Sequence, residues 1–211
     1  MKLKYFSLLF SIMGVLMLYF LSELTQPPLI EIYEMPDYES KQVIIEGTVV
    51  DYQVTKYGGQ IITIAGGNTT ATVFVEGETE LEYGDKIQAT GEVQKYKEDW
   101  ELVVNDNRLV RIIEEWQNST KFLWQLAENP SNYLDLNVNV TGYIEAISNA
   151  YFYLVDVEEK YSLIVFYKNF DNITVHPGQK VSISGKFTFD EQKFRYQLEI
   201  CDEKHRITFL G

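Results

Sequence analysis

Two matching stretches decide the fold: LEYGDKIQATGEV (Leu81–Val93) and VHPGQKVSISGKF (Val175–Phe187). Each places a glycine at a turn, then alternates apolar and polar residues, and carries a second glycine within the alternation. The glycines of the second stretch follow those of the first by 94 positions, at Gly84, Gly91, Gly178 and Gly185. Alternation of period two predicts a strand. Recurrence at a nearly constant offset indicates a duplicated domain.

The match extends to the other strands of each copy. VIIEGTVVD (43–51) corresponds to VNVTGYIEA (138–146), and DWELVV (99–104) corresponds to RYQLEI (195–200). A glycine in the middle of the first and fourth strands is typical of strands that bend around a barrel corner. We therefore predict an all-β chain of two five-stranded Greek-key barrels, over 41–113 and 132–211.

The segment between the copies, residues 114–131, ends with NSTKFLWQLAENPS. This pattern predicts a short helix that begins after Asn118 or Ser119 and ends before Pro130. Its apolar side chains are expected to pack between the two barrels; they are Phe122, Leu123, Leu126 and Ala127.

The N-terminal residues 1–24 predict a membrane-spanning signal anchor. Two lysines precede an uncharged run of 18 residues from Tyr5 to Ser22, which is about 27 Å long as a helix. Because the bases come before the run and acids follow it, the N-terminus should be cytoplasmic and both barrels outside. A cleaved signal peptide is the alternative, although no small-residue pair marks a cleavage site near Ser22. Residues 25–40, acidic with three prolines, are predicted to be a spacer.

Composition excludes several classes of function. The net charge of −13 disfavours a sequence-independent grip on nucleic acid or anionic lipid. One cysteine and two histidines leave neither a disulfide nor a cysteine-rich zinc site. The chain lacks a phosphate-binding glycine loop, a nucleophile elbow and an HExxH motif. We therefore expect a non-enzymatic protein with no catalytic residues, no metal and no cofactor.

The glycine-centred strands resemble those of OB-fold domains of the tRNA-anticodon/helicase type. The corresponding segments are IEGTV and YGDKIQATGEV in the first copy, and VTGYI and PGQKVSISGKF in the second, where Gln179 replaces the usual Asp. The resemblance implies a barrel that often binds single-stranded nucleic acid through aromatic and basic side chains. It implies the fold more specifically than the ligand.

Strand alternation in the second copy predicts a tyrosine-rich outer face, on the assumption that Phe152, Leu154, Ile164 and Phe166 point inward. The candidate ligand-binding residues are Tyr143, Tyr151, Tyr153, Tyr167, Lys168, Lys186 and Arg195. Such a face could equally dock on the other barrel or on the linker. On charge, a protein or glycan partner is expected before single-stranded nucleic acid, which remains the alternative.

A second resemblance concerns the C-terminal segment LEICDEKHRITFL. The OB-fold haem chaperone of cytochrome c maturation carries a His or Cys four residues before a Tyr, and Cys201 and His205 have that spacing. The resemblance implies haem handling through Cys201. The alternative is that Cys201 is a small residue at a strand end and His205 a turn residue.

Overall fold

The computed structural model describes residues 2–24, 26–167 and 175–210, and most of its regular elements are β-strands. The all-β prediction is confirmed. The first sheet contains β1 Gln42–Val54, β2 Gly59–Gly66, β3 Thr69–Glu76, β4 Lys86–Tyr96, β5 Asp99–Val104 and β6 Val110–Glu114.

The first five strands close into a barrel. β2 pairs antiparallel with β1 and β3, β3 pairs in parallel with β5, and β4 joins β5 to β1 by antiparallel ladders. This circuit is that of the OB fold, a five-stranded Greek-key barrel. β6 adds to the outer edge of β4. The inward residues alternate along the strands and form one apolar core.

The second sheet repeats this arrangement in the second copy. Its strands are β7 Thr120–Phe122, β8 Asn137–Ile147, β9 Tyr151–Val155, β10 Ser162–Tyr167, β11 Lys180–Asp190, β12 Arg195–Ile200 and β13 Arg206–Phe209. The pairings run β8–β9–β10–β12–β11 and return to β8, again with one parallel pair, β10–β12. We call the two closed circuits the first barrel and the second barrel.

The glycines at mid-strand mark places where two strands cross too closely for a side chain. A Cβ on Gly142 would lie 2.7 Å from Leu154 Cγ, and one on Gly91 would lie 2.5 Å from the Val103 carbonyl oxygen. Gly47 and Gly185 are crowded in the same way by residues of their own barrels. The close approach of two strands therefore explains why both copies of the sequence have a glycine at these positions.

Residues 28–38 are not a free spacer. A backbone bridge joins Leu29 to Ile44, and a 3₁₀ helix over Ile32–Tyr38 follows. Ile32 and Met35 of this helix are buried in the core of the first barrel. The apolar residues spaced within the acidic segment explain why it packs, since each removes a large side chain from water.

The linker packs on the second barrel in the same way as residues 28–38 pack on the first barrel. β7 bridges to β8, and helix α2 (Leu123–Glu128) follows, with Leu123 and Leu126 buried in the second core. A helix is present as predicted, but its buried side chains pack into the core of the second barrel and not between the two barrels. Phe122 is 57% exposed, and the backbone N–H of this residue donates to the Gln125 side chain, so the Asn118 or Ser119 start was wrong.

The two barrels meet through a short segment that the sequence did not single out. Trp116, 2% exposed, lies in a 3₁₀ helix at the junction. Its backbone N–H donates to Asp85 and its indole N–H donates to Glu82, both on the loop before β4. Lys204 of the second barrel pairs with the same Glu82 carboxylate. The junction is therefore a specific contact held by buried polar groups as well as apolar ones.

Helix α1 covers Lys2–Leu24, and the apolar side chains described between Leu8 and Leu21 are exposed. Within the described ranges, no helix is long and apolar enough to cross a membrane. The predicted transmembrane anchor is therefore not supported by the structure.

Candidate ligand-binding face

The register between β9 and β10 decides which side chains share a surface. Val165 pairs with Phe152, and both are fully buried. Because residues directly opposite each other in a ladder share a face, Ile164 and Phe166 lie on the outer face. The expectation that Ile164 and Phe166 point inward was wrong, because the predicted alternation of β10 was shifted by one residue. Such a shift moves every side chain of a strand to its other face.

Tyr167 is therefore not on the outer face. Its ring packs against the second core, with its centroid 5.8 Å from that of Phe152. Its hydroxyl donates to the Ser148 carbonyl oxygen at 2.8 Å. Tyr167 stabilises the barrel and the β8–β9 turn instead of presenting a binding group.

The aromatic face, as we call it, comprises outward side chains of β9, β10 and β12: Tyr151, Tyr153, Ile164, Phe166, Arg195, Gln197 and Glu199. The Tyr151 ring lies edge-on to Tyr153 at 5.9 Å and 5.6 Å from Phe166, measured between centroids. Tyr151, Tyr153 and Phe166 are half-buried. The three rings thus form a connected surface that keeps its ring faces partly in solvent.

Basic groups lie over one end of this surface. The Arg195 guanidinium carbon is 5.4 Å and the Lys193 ammonium 5.8 Å from the Phe166 ring centroid. Both distances are in the range of cation–π attraction. Arg195 Nε and Gln197 Oε1 are buried and make no hydrogen bond within the described part of the chain.

A small cavity of about 200 Å³ adjoins Phe166, between the β11–β12 hairpin and the end of β12. The Glu199 carboxylate on its wall accepts hydrogen bonds from Thr188 and Gln197. Lys186 lies opposite Glu199 in the ladder, and its ammonium is 3.7 Å from Asp135. Lys186 therefore borders the face, whereas Lys168 lies outside the described residues.

Tyr143 is separate from the aromatic face. It lies on β8, with the Lys180 ammonium 5.9 Å from its ring centroid. It lines a groove of about 590 Å³ together with Trp124, Tyr161 and Lys160. The structure thus brings together three of the predicted residues, Tyr151, Tyr153 and Arg195.

The equivalent face of the first barrel has different chemistry at matched positions. Tyr151 corresponds to Ile61, because Tyr151 lies opposite Phe166 in its ladder and Ile61 lies opposite Phe74. Tyr153 corresponds to Thr63 in the same way, because they lie opposite Ile164 and Thr72. Charges are also exchanged: Asp99 occupies the position of Arg195, and Glu92 that of Lys186. The first barrel therefore offers neither the tyrosine pair nor the bases of this face.

Four residues at this face were not predicted from the sequence: Phe166, Ile164, Gln197 and Lys193. β10 reads LIVFY, an apolar run whose alternation does not show which side faces the core. The repeat contained the missing signal, because ATVFV of β3 aligns with LIVFY and places Phe74, an outward residue, at Phe166. The alignment of strands between the two copies thus shows which side of β10 faces the core, whereas the alternation within this one strand does not.

Cys201 and His205 form a local structure. His205 is 4% exposed, and its Nδ1 accepts from the backbone N–H groups of Cys201 and Asp202. Its Nε2 lies 3.2 Å from the Asn137 side-chain oxygen, so this nitrogen carries the proton. Burial lowers the pKa of His205. Both ring nitrogens are engaged, which leaves neither for an iron, and the described residues contain no cluster of three metal-ligating side chains.

Comparison with known proteins leaves the family open, since no protein-family model and no curated protein matches the chain. Solved structures that share part of the fold include asparaginyl-tRNA synthetase from Pyrococcus horikoshii, at 16% identity and a TM-score of 0.35, covering 40% of this chain and 23% of that one. The p204 HINb domain aligns at 15% identity and a TM-score of 0.34, covering 78% and 95% of the two chains.

A murine DNA-binding protein bound to double-stranded DNA aligns at 13% identity and a TM-score of 0.38, covering 80% of this chain and 98% of that one. This chain spans about a quarter of the length of the synthetase it matches. At this level of similarity the comparisons carry no argument about function, which has to come from the site.

Proposed function

We propose that this chain is a non-enzymatic binding protein and that its ligand lies on the aromatic face of the second barrel. The observation that carries the proposal is the difference between two matched faces on the same backbone. Tyr151, Tyr153 and Arg195 replace Ile61, Thr63 and Asp99 at equivalent ladder positions. A purely structural sheet surface would not need this change, since the first barrel folds without it.

The side chains favour a ligand with flat or apolar faces and hydrogen-bonding edges. Half-buried tyrosines offer ring surface and a hydroxyl at low entropic cost, which suits peptides and sugars. The Arg195 guanidinium and the Gln197 side-chain amide add partly exposed polar groups on the neighbouring strand. The net charge of −13 disfavours a long polyanion, so a protein or glycan ligand is our first choice. The location of the chain outside the cytoplasm stays a prediction.

Single-stranded nucleic acid is the second candidate. The specific observation in its favour is the pair of bases, Arg195 and Lys193, over the half-buried Phe166 ring. Single-strand binding combines stacked aromatics with basic groups that follow the backbone. Here the bases are few and Asp190 pairs with Lys193, which limits the expected affinity.

The test is a binding assay with the full chain against labelled single-stranded DNA and RNA, an oligosaccharide array and a peptide library, over a salt series. The variant Tyr151→Ala/Phe166→Ala should weaken binding by about 1–3 kcal/mol per ring. Its matched control is Ile61→Ala/Phe74→Ala, the same positions on the first barrel, which should leave binding unchanged.

Salt dependence separates the two candidates. Binding to single strands should fall steeply, with a slope of about −0.7 per phosphate contacted, whereas a glycan or peptide on the tyrosines should respond little. Equal losses in the variant and its matched control would contradict the proposed site.

A further inference from the structure

One surface of the first barrel is covered by the second barrel. Gly84 lies directly against the second barrel, and a Cβ there would come within 2.4 Å of the Asn137 carbonyl oxygen. Val50 and Tyr83 of the first barrel pack against the second core. Val50 and Leu136 also line the same cavity of about 350 Å³ at this junction. We call the covered surface of the first barrel the inner docking surface.

The second barrel carries the equivalent surface, and no other described part of the chain covers it. The Gly84 N–H donates to the Val49 carbonyl, and at the equivalent position the Gly178 N–H donates to the Ile144 carbonyl. Both glycines have positive φ, +97° and +81°. A Cβ on Gly178, however, would meet nothing within 4 Å among the described residues. We call this the outer docking surface.

The outer docking surface has the character of a contact surface. Tyr143, Val157 and Pro177 surround Gly178 and line a cavity of about 350 Å³. Val157 is 77% exposed, an unusual state for a valine. Glu145 and Glu159 form its rim. Apolar groups surrounded by charged ones are typical of protein contacts.

The first barrel also carries a copy of the part that docks. At the junction this part centres on Leu136 and Asn137 of the second barrel. The Phe187 N–H donates to the Leu136 carbonyl, and the equivalent Val93 N–H donates to the Lys41 carbonyl. Leu136 and Asn137 therefore correspond to Lys41 and Gln42, which are exposed. Each chain thus has an open docking surface at one end and an open docking part at the other.

The residues at these two free sites are complementary in charge. Inside the chain, Val50 and Leu136 line the junction as an apolar pair. At the free ends their equivalents are Glu145 and Lys41, both exposed and of opposite sign. An acid and a base at these positions fit a contact that forms between chains and must be soluble when apart.

We propose that a second copy of this chain docks through Lys41 and Gln42 of its first barrel onto the outer docking surface around Gly178, head to tail. The contact uses, between chains, the barrel surfaces equivalent to those around Gly84 and Asn137 that meet within each chain, without the Trp116 segment. Because the two surfaces differ, the contact is heterologous and can continue into open assemblies. The net charge of −13 on each chain opposes association, so the contact is expected to be weak.

The test is cross-linking of the full chain in mild detergent, with Cys201→Ser as background. Cysteines replace Pro177, next to Gly178, and Gln42, the equivalent of Asn137. A short bis-maleimide should link the double variant into a ladder of dimers, trimers and larger species. Mixing the two single variants should give dimers only. A control pair, Tyr57→Cys/Phe194→Cys, lies at exposed sites away from both surfaces and should give no ladder above background.

Charge reversal then tests the specific geometry. Glu145→Lys in the double-cysteine chain should reduce the ladder by about tenfold or more, because like charges would face each other. Adding Lys41→Glu should restore it. Glu98→Lys, on an exposed hairpin, is the matched control and should have no effect. Circular dichroism melts verify that each variant is folded. A ladder no stronger than that of the control pair, or one that charge reversal leaves unchanged, overturns the proposal.

Discussion

The two barrels share a backbone circuit down to single hydrogen bonds, but their surfaces are used differently. In the first barrel the surface around Gly84 is covered by the neighbouring barrel, while its sheet face carries isoleucine, threonines and acids. In the second barrel the equivalent surface around Gly178 is open, while the sheet face carries tyrosines and Arg195. Duplication has thus preserved the pairing and separated the roles of the two copies.

The repeat also extends further upstream than the strands. Ile32, Tyr33 and Met35 before the first barrel match Leu123, Trp124 and Leu126 before the second, each 91 positions apart. In both barrels the two aliphatic positions are buried and the aromatic one is exposed. Each repeat therefore begins with a short segment, which we call the lead-in, whose two buried side chains pack into the barrel core. The five barrel strands follow it. The four predictions below test this comparison, from the largest expected effect to the smallest.

Trp116→Ala should have the largest effect on stability. The side chain is 2% exposed and its indole N–H is hydrogen-bonded to Glu82, so truncation removes apolar contacts and this hydrogen bond. Loss of a buried tryptophan typically costs about 3–5 kcal/mol. Urea denaturation followed by circular dichroism should also separate into two transitions, because the junction no longer couples the barrels.

Trp124→Ala is the control for the tryptophan prediction. Trp124 is 46% exposed and lies on α2, outside the junction. Its truncation should cost less than about 1 kcal/mol and leave one transition. Equal losses for the two variants would show that the junction contributes nothing special.

Gly84→Ala and Gly178→Ala compare the covered and the open surface directly. Both substitutions place a Cβ at positive φ, which costs about 1–2 kcal/mol. Only the Cβ added at position 84 would also strike backbone, the Asn137 carbonyl at 2.4 Å. The loss of stability in Gly84→Ala should therefore exceed that in Gly178→Ala by at least about 1 kcal/mol. Thermal melts of the two variants measure the difference, and similar melting temperatures would contradict it.

Tyr167→Phe and Tyr151→Phe compare a tyrosine of the core with one of the aromatic face. The Tyr167 hydroxyl donates to the Ser148 carbonyl, so its removal should cost about 1 kcal/mol. Tyr151→Phe should leave stability within about 0.5 kcal/mol of the unmodified chain. Urea midpoints provide the measurement. A neutral Tyr167→Phe would mean that this hydroxyl is equally well solvated when the chain unfolds.

Much of the fold could be predicted from the sequence because its evidence is written twice. The four mid-strand glycines each prevent a collision between crossing strands, and that requirement is visible without coordinates. The lead-in of the first barrel was missed because IEIYEM is acidic, and its charge concealed three buried residues, Ile30, Ile32 and Met35. Composition describes a segment, whereas burial depends on the spacing of its apolar residues.

The candidate site was harder to predict. Tyr151 and Tyr153 alternate with buried residues and were placed correctly on an outer face. The apolar run of β10, in contrast, does not show which of its residues face the core. Tyr167 and Phe166 were consequently exchanged between core and surface. The junction depends on Trp116, a single residue between the repeats, and no periodicity points to it. The Trp116 part of the junction is thus set by a position that the repeat itself does not contain.

The smallest expected effect concerns pH and again falls on the junction. The His205 ring lies edge-on to Trp116 at 5.9 Å, and its pKa is lowered by burial and by Lys186, against the opposing influence of Asp202 and Glu82. The unfolded chain has a histidine pKa of about 6.5. Between the lower folded value and 6.5 the unfolded state binds more protons, so the free energy of unfolding should fall as pH falls below 6.5.

The slope cannot exceed one proton, or about 1.4 kcal/mol per pH unit. Urea denaturation at pH 7.5, 6.5 and 5.5 should show this loss in the unmodified chain and a smaller one in His205→Gln, where the titrating group is absent. His176→Gln, which replaces the other histidine of the chain at an exposed site, is the matched control. Parallel curves for His205→Gln and the unmodified chain would show that protonation of the junction histidine does not oppose folding.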